Sequence, residues 1–144
     1  MGLNIVWFRR DLRMSDNVAL FKATKDGNPI LPIFILDQET ENTGAAFKLR
    51  LGLSLQKLSE SLRKVGSRLI LLKGEPIEVL KKIVFDFNAK KIFWNSLYDE
   101  DSINRDSKIK SLFEKKSIAV SASDGMLLLP PWKVKTNSGS FYKV

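Results

Sequence analysis

The sequence predicts a Rossmann-like α/β domain: a doubly wound sheet of five parallel strands in the order 3-2-1-4-5, with helices on both faces. Short apolar runs alternate with longer amphipathic stretches along the chain. This alternation is typical of parallel strands joined by right-handed helical crossovers. Most of the short runs are apolar at successive positions, as expected for strands that helices cover on both sides.

The strands are predicted from these short apolar runs, and the helices from the apolar spacing between them. The predicted strands cover residues 4–8, 30–36, 68–72, 91–95 and 117–121, and the predicted helices cover residues 17–25, 45–65, 76–88 and 102–116. The second helix is the most regular, because Leu51, Leu55 and Leu58 recur at helical spacing before Gly66, which suits a helix C-terminus. Pro76 suits the first turn of the third helix.

The chain changes character after Gly125, which divides it into an α/β domain at residues 1–124 and a tail at residues 125–144. Residues 130–132 are Pro-Pro-Trp and predict a non-helical segment. Residues 136–139 predict a turn, and residues 141–144 begin an extended run. Compact domains rarely end on such a run, so we expect the tail to lead into a longer protein.

Composition excludes several kinds of chemistry. The 144 residues include no cysteine and no histidine, which excludes disulfides, thiol nucleophiles and histidine-based catalysis within this chain. The chain has 24 Lys and Arg against 16 Asp and Glu, a balance that suits a phosphate-bearing partner but also fits a surface of scattered, solvated lysines. No apolar run reaches the roughly 18 residues of a membrane span. We therefore expect no membrane association and a cytoplasmic protein.

The loop after the first strand is the first candidate ligand contact. It contains Arg9, Asp11 and Arg13, and in doubly wound folds such loops line the ligand crevice at the carboxyl edge of the sheet. The arginines could bind an anion, or they could pair with nearby carboxylates and hold the corner in place. Ser15 or Asp16 is expected to cap the following helix. Neither a Gly-x-Gly-x-x-Gly motif nor a Walker lysine motif is present.

Two further strand ends supply polar residues. Asp37 follows the second strand and could accept a hydrogen bond from a planar ligand or cap the next segment. Asp99 and Asp101 belong to an acidic run after the fourth strand. Such a run can support acid/base chemistry or complement the dipole of the next helix. Trp7 and Trp94 lie on apolar strands and are expected in the core.

Four blocks of sequence resemble the amino-terminal α/β domain of the DNA photolyase and cryptochrome family. They are VWFRRDLRMSDNVAL at 6–20, LRKVGSRLILLKG at 62–74, WNSLYDEDSINRDSKIK at 94–110 and GMLLLPPWKVKTNSGSFYKV at 125–144. The blocks occur in the family's order and spacing. The chain is therefore identified as similar to this domain over essentially its whole length.

The resemblance implies the amino-terminal domain of a deoxyribodipyrimidine photolyase, a carbon–carbon lyase that repairs pyrimidine dimers in DNA with light. In the family, an antenna chromophore in this domain passes excitation to FAD in a separate helical domain, so DNA and that domain are the implied partners. Because the flavin-binding residues are not in this chain, we expect it to be inactive alone. A cryptochrome photoreceptor fragment and a free-standing nucleotide-binding or interaction module are the alternatives.

The resemblance also implies a pigment crevice, and eight residues are expected to form it. Basic residues would meet anionic ligand groups, apolar residues would pack a ring, and carboxylates would accept its N–H groups: Arg9, Asp11, Phe34, Leu36, Asp37, Lys48, Asp99 and Asp101.

The identity of the pigment is open among folate, flavin and deazaflavin. Deazaflavin-binding relatives have a basic residue at the position of Phe47 and an acid at that of Leu97, so the resemblance disfavours a deazaflavin. Folate-binding relatives have an Asn-Glu pair where this chain has Asp101 and Ser102. The contact that this pair would make with a folate is therefore weakened as well.

Overall fold

The computed structural model describes residues 2–140, which form five strands, five α-helices and one short 3₁₀ helix. In chain order these are β1 (Leu3–Phe8), α1 (Val18–Lys25), β2 (Ile30–Leu36), α2 (Gln38–Glu41), α3 (Ala45–Lys64), β3 (Ile70–Lys73), α4 (Pro76–Asp86), β4 (Ala89–Asn95), α5 (Glu100–Glu114), β5 (Ala119–Ser123) and the 3₁₀ helix Pro131–Lys133.

The sheet is parallel throughout and has the strand order β3-β2-β1-β4-β5, as the sequence predicts. β1 lies at its centre, with Trp7 level with Ile33 of β2 on one side and Val6 level with Phe93 of β4 on the other. The chain builds outward from β1 to β3 and then crosses to β4. The loops after β1 and β4 therefore diverge at the carboxyl edge, which opens a crevice there.

Each face of the sheet has its own buried core. On one face, helices α4 and α5 pack on alternate strand residues that include Trp7, Ile33 and Trp94. On the other face, α1 and α3 pack on strand residues that include Phe8 and Phe34. Burial of each large apolar side chain contributes roughly 1.5–3 kcal/mol. The prediction of helices on both faces is confirmed.

Several elements begin one or two residues from their predicted starts, and capping geometry accounts for two of these differences. The helix N-cap after the first loop is Asn17, which accepts a hydrogen bond from Leu20 N at 3.1 Å, and not Ser15 or Asp16. Asp16 has a left-handed φ of 49° instead. Strand β5 begins at Ala119, two residues after the predicted start, because the turn that closes α5 extends to Ser117, which has a left-handed φ of 59°.

Helix α3 ends as the sequence predicts. Gly66 has a φ of 76°, and its N–H donates to the carbonyl of Arg63 at 3.0 Å. The N–H of Ser67 donates to the carbonyl of Leu62 at 2.9 Å, which completes a Schellman cap.

Helix α2 was not predicted. Its four residues, Gln38–Glu41, have no apolar periodicity, and it forms because Asp37 caps it.

The tail differs in part from expectation. Residues 131–133 form one 3₁₀ turn although a non-helical segment was expected, since a proline at the first helical position needs no N–H bond. The predicted turn at 136–139 is present, with Gly139 N donating to Thr136 O at 2.8 Å. The predicted extended run at 141–144 lies outside the described residues. No helix between residues 2 and 140 is both long and apolar enough to span a membrane.

At the amino edge, Asp26 joins the loop after α1 to two central strands. Its carboxylate accepts hydrogen bonds from Lys91 Nζ, from Asn4 Nδ2 at 3.0 Å and from Asn28 Nδ2 at 2.9 Å. These bonds, with that from Lys91 the strongest, lower the pKa of Asp26 from 3.8 to about 2. A depressed folded-state pKa contributes stability above the unfolded value, and this stability is lost as the pH falls through the folded value.

We therefore expect Asp26→Asn to destabilise the chain at neutral pH, by a margin that shrinks as the pH falls from 3.8 towards 2. Urea unfolding across this pH range measures it. Lys91→Met, which removes the strongest cause, should show the same shrinking margin. A destabilisation by Asp26→Asn that stayed constant to pH 2 would contradict this assignment.

Ser117 is expected to be a strained helix end, because a left-handed conformation is costly for a residue with a Cβ. Ser117→Gly should raise the free energy of unfolding by about 0.5–1 kcal/mol, as measured by chemical denaturation. The control is Ser111→Gly, within α5, which should lower the free energy of unfolding by about 0.5 kcal/mol. A loss of stability in Ser117→Gly would show that the serine side chain matters more than the backbone.

Candidate functional site

The loop after β1 is held by the buried carboxylate of Asp11. It accepts hydrogen bonds from the backbone N of Arg9 at 2.8 Å, from Asn95 Nδ2 at 2.6 Å and from Asn17 Nδ2 at 3.2 Å. Asp11 is 3% exposed, so all three bonds form away from bulk water. Loss of this acceptor would leave the buried backbone N–H of Arg9 without its partner, which costs about 1–3 kcal/mol.

Asn95, at the end of β4, connects this loop to α1 and to the tail. Its Oδ1 accepts from Ala19 N at 3.1 Å, and its Nδ2 also donates to Asn17 Oδ1 at 2.9 Å. Gly125 lies directly on this amide, since a Cβ at that position would stand 2.3 Å from Asn95 Oδ1. The tail can therefore cross the carboxyl edge here only because residue 125 has no side chain.

Arg9 holds the corner in place. Its guanidinium donates to both carboxylate oxygens of Asp106, at 2.8 and 2.7 Å, and to the carbonyl of Asn95, and it lies 4.9 Å from the centre of the Trp7 ring. Burial lowers the pKa of Arg9, and the charge and hydrogen bonds of Asp106 oppose that shift. Of the two roles open for Arg9, pairing with a carboxylate is the one that the structure shows.

A cavity of about 190 Å³, here called the carboxyl-edge cavity, opens beside this corner. One side is apolar and includes Phe8, Phe34, Phe47, Leu51 and Leu97; the other side is polar and includes Arg9, Arg10, Asp37, Glu39 and Arg105.

Arg105 is one of the cavity residues that the sequence analysis missed, together with Arg10 and Glu39. Its guanidinium lies 5.5 Å from the centre of the Trp7 ring, with Asp37 at 3.6 Å, Glu39 at 3.7 Å and Asp106 at 3.5 Å. These ion pairs are long for charge-assisted hydrogen bonds, which are about 2.7–2.9 Å. The sequence places Arg105 in α5 next to Asp106, but it carries no signal that shows which face of this helix packs on the loop after β1.

The predicted crevice residues divide among several places. Arg9, Phe34 and Asp37 line the carboxyl-edge cavity. Leu36 and Lys48 line an adjoining hollow of about 410 Å³ between α2 and α3.

The remaining predicted carboxylates have structural partners. Asp37 caps α2, accepting from Thr40 N at 2.9 Å through one oxygen while its other oxygen faces Arg105. Asp11 lies buried in the loop network. Asp101 is exposed in the first turn of α5.

Asp99 caps α5 and pairs with Arg10 at 3.1 Å. Burial acts to raise the pKa of Asp99, but hydrogen bonds from Ser102 and the charge of Arg10 lower it overall. Within residues 2–140, no group of three or more acidic residues is placed to hold a metal ion.

Comparisons with known proteins agree on one family. The family model described as DNA photolyase matches residues 4–144. Among solved structures, a bacterial class III photolyase from Agrobacterium tumefaciens is 35% identical with a TM-score of 0.92, over 99% of this chain and 30% of that one. An archaeal photolyase from Sulfolobus tokodaii, described with two FAD molecules, is 34% identical with a TM-score of 0.79, over 90% of this chain and 31% of that one.

A plant photoreceptor is similar as well. Cryptochrome-1 of Arabidopsis thaliana is 37% identical over 142 residues, which is 96% of this chain and 21% of that protein. The chain therefore spans less than a third of the length of these relatives.

The buried Arg9–Asp106 pair is expected to hold the site together. We predict that Asp106→Asn lowers the free energy of unfolding by about 3 kcal/mol, because it leaves a buried guanidinium without its counter-charge. Chemical denaturation measures the effect. The control is Asp16→Asn, which breaks an exposed pair with Arg13 and should change stability by less than about 1 kcal/mol. Equal effects of the two substitutions would contradict a special role for the buried pair.

Proposed function

We propose that this chain, which belongs to the DNA photolyase family, is the amino-terminal domain of a photolyase that repairs pyrimidine dimers in DNA with light. The similarity to photolyases over nearly the whole chain is the observation that carries the proposal. Because the chain spans 30% of the Agrobacterium structure, the activity, the FAD and the DNA contacts of the whole protein are proposed and not observed. We also propose a cytoplasmic location, which the lack of cysteine supports.

The proposed role of the domain itself is to hold a light-absorbing pigment in the carboxyl-edge cavity. The volume of about 190 Å³ is below the roughly 300–1,000 Å³ of a typical ligand pocket. The cavity would therefore take the flat end of a pigment while the remainder lies on its open rim. Its apolar side, with Phe34 and Phe47, suits a ring system.

Arg105 is the proposed polar contact of the pigment. Its guanidinium faces the cavity with long ion pairs, so its N–H groups can turn to a carbonyl or an anionic group of a ligand. One carboxylate oxygen of Asp37 faces Arg105. It can accept a hydrogen bond from an N–H group on the ring edge that contacts Arg105. Such a donor and acceptor side by side match the polar edge of a flavin ring or a pterin.

A flavin is our first candidate among the pigments. The Sulfolobus tokodaii relative is described with two FAD molecules and a novel light-harvesting cofactor. Phe47 and Leu97, both in the cavity lining, leave it without the charged pair that the family resemblance associates with deazaflavins. When bound, the pigment would supply absorption of near-ultraviolet or blue light, and the residues above would bind and orient it.

A light-sensing role is the second candidate function. The 37% identity to Cryptochrome-1 of Arabidopsis thaliana supports it, since that similarity is as strong as the similarity to the photolyase structures. Both functions require a pigment, so the longer protein separates them. Repair of dimer-containing DNA under light supports the photolyase, and a light response without repair supports the photoreceptor.

We predict that the chain binds riboflavin or FAD with a difference absorption band that survives dialysis. Arg105→Gln should weaken this binding about tenfold, because it removes a charged hydrogen-bond donor. The control Arg63→Gln, at the exposed end of α3, should leave the affinity unchanged.

If the chain binds no flavin but binds a folate, the pigment of this cavity is a folate and not a flavin. A chain that takes up neither would overturn the pigment-binding role. Light-driven repair of DNA by this chain alone would overturn the proposal that repair needs the FAD-binding domain.

A further inference from the structure

The basic residues of the chain gather at the amino edge of the sheet. The strands are parallel and the helices between them return in the opposite direction, so helix ends and strand starts meet at this edge. Four segments cross it, at residues 22–29, 62–69, 82–91 and 112–119, and they contain ten Lys and Arg against three Asp and Glu. These segments therefore carry +7 of the chain's net charge of +8. The fold concentrates lysines that look scattered in the sequence.

Most of these cations are available to a partner. Nine of the ten basic side chains are exposed and form no ion pair within residues 2–140; the tenth, Lys91, pairs with Asp26. We call the nine exposed side chains of these four segments the amino-edge surface. Neighbouring strands are about 4.8 Å apart, so this surface extends about 19 Å from the start of β3 to the start of β5.

Helix dipoles account for only part of this charge. Cations in the last turn of a helix complement its negative end, and the last turns of α1 and α3 contain two such residues each. The last turns of α4 and α5 contain none. Arg68 and Lys90 each lie four residues beyond the end of a helix, where the dipole effect has faded. A row of cations of this kind suits a partner that carries many phosphates.

Exposed phenylalanines lie among these cations. Phe85 is 86% exposed, and Lys82, three residues before it, lies on the same face of α4. On α1, Phe21 is 60% exposed, and Lys25 Nζ lies 5.1 Å from the centre of its ring. Surfaces that bind single-stranded nucleic acids combine cations for the phosphates with aromatic rings on which unpaired bases stack.

The placement of these rings favours a flexible strand as the partner. Helices α1 and α4 cover opposite faces of the sheet, so Phe21 and Phe85 lie on opposite sides of the amino edge. A membrane surface takes up one continuous apolar face, which this arrangement does not provide. The paired bases of a duplex cannot stack on either ring. A single strand can cross the edge from one ring to the other and contact the cations between them.

A hollow that opens onto this edge offers room for a base. It lies between α1 and α3, has a volume of about 420 Å³, and is lined at the edge by Gly27, Asn28 and Ser67. A cavity of about 150 Å³ holds a benzene molecule. Lys25 and Arg68, which adjoin this part of the lining in the chain, are both exposed.

We propose that the amino-edge surface binds single-stranded nucleic acid without sequence preference. The cations meet the phosphates, Phe21 and Phe85 stack on unpaired bases, and the hollow receives one base. Strand β2 has seven residues, so this surface lies about 20 Å from the carboxyl-edge cavity, at the other end of the strands. The binding involves neither a pigment nor a pyrimidine dimer, and it does not depend on the proposed photolyase function.

A fluorescently labelled twelve-residue oligothymidylate, titrated with the chain in the dark, tests this proposal. We expect saturable binding, about tenfold tighter than for a duplex of the same length, because only the single strand can stack on the phenylalanines. The logarithm of the binding constant should fall linearly with the logarithm of the salt concentration, with a slope of about −0.7 for each phosphate that is neutralised.

One pair of variants tests the cations. Arg68→Gln combined with Lys90→Gln should weaken oligothymidylate binding about tenfold and reduce the magnitude of the salt slope by about 1.4, since two phosphate contacts are lost. The control combines Arg50→Gln with Lys133→Gln, which removes the same charge from exposed positions in the first half of α3 and in the tail. It should change the affinity less than about twofold.

A second pair of variants tests stacking. Phe85→Ala should weaken oligothymidylate binding about tenfold and leave duplex binding unchanged. The control Leu128→Ala, which removes a fully exposed apolar side chain from the tail, should change neither. All of these side chains are on the surface, so the variants are expected to fold.

Four results would overturn the proposal. They are duplex binding as tight as that of the oligothymidylate, an unchanged oligothymidylate affinity in Phe85→Ala, an equal loss of affinity in the two double variants, and binding to phosphatidylserine vesicles without binding to the oligothymidylate. The last result would assign the surface to a membrane. None of them bears on flavin uptake at the carboxyl-edge cavity, which the absorption measurement decides separately.

Discussion

The bond between the Arg9 guanidinium and the Asp106 carboxylate is the interaction on which the carboxyl edge of this domain depends. It joins residues 97 positions apart in the chain, through two hydrogen bonds of 2.8 and 2.7 Å. Both groups are nearly buried, with 6% and 13% of their side chains exposed. A buried charge of this kind is tolerated only with its partner, so the loop after β1 and helix α5 must keep their relative position.

The shape of the carboxyl-edge cavity follows from that constraint. Trp7 and Trp94 meet edge to face, with ring centres 5.8 Å apart, and the Arg9 guanidinium lies within 4.9 Å of the centre of the first ring and 5.8 Å of the second. Trp7 lines the carboxyl-edge cavity. A displacement of α5 would change this cavity, because Arg105, which lines it, is next to Asp106 on that helix.

Part of the candidate site could be predicted from the sequence. The expectation that a crevice lies beyond the carboxyl ends of the strands is general for doubly wound sheets. Phe34 was predicted from its place near the end of β2, and Asp37 from its place directly after that strand. Lys48 and Leu36 were assigned to the same crevice, but they line the adjoining hollow. Arg105 was missed because its place at the cavity depends on how α5 packs over β1, which the order of residues along α5 does not reveal.

The sequence by itself determined the family and the sheet order, because apolar periodicity and the four family blocks are properties of the chain. It also determined which chemistry is excluded, since histidine and cysteine are absent. Only the tertiary structure decided whether each polar side chain is structural or available to a ligand. Asp11, Arg9 and Asp99 look equally suited to a ligand in the sequence. Their hydrogen bonds are made to distant residues such as Asn95 and Asp106, and such partners meet only when the sheet and α5 are packed together.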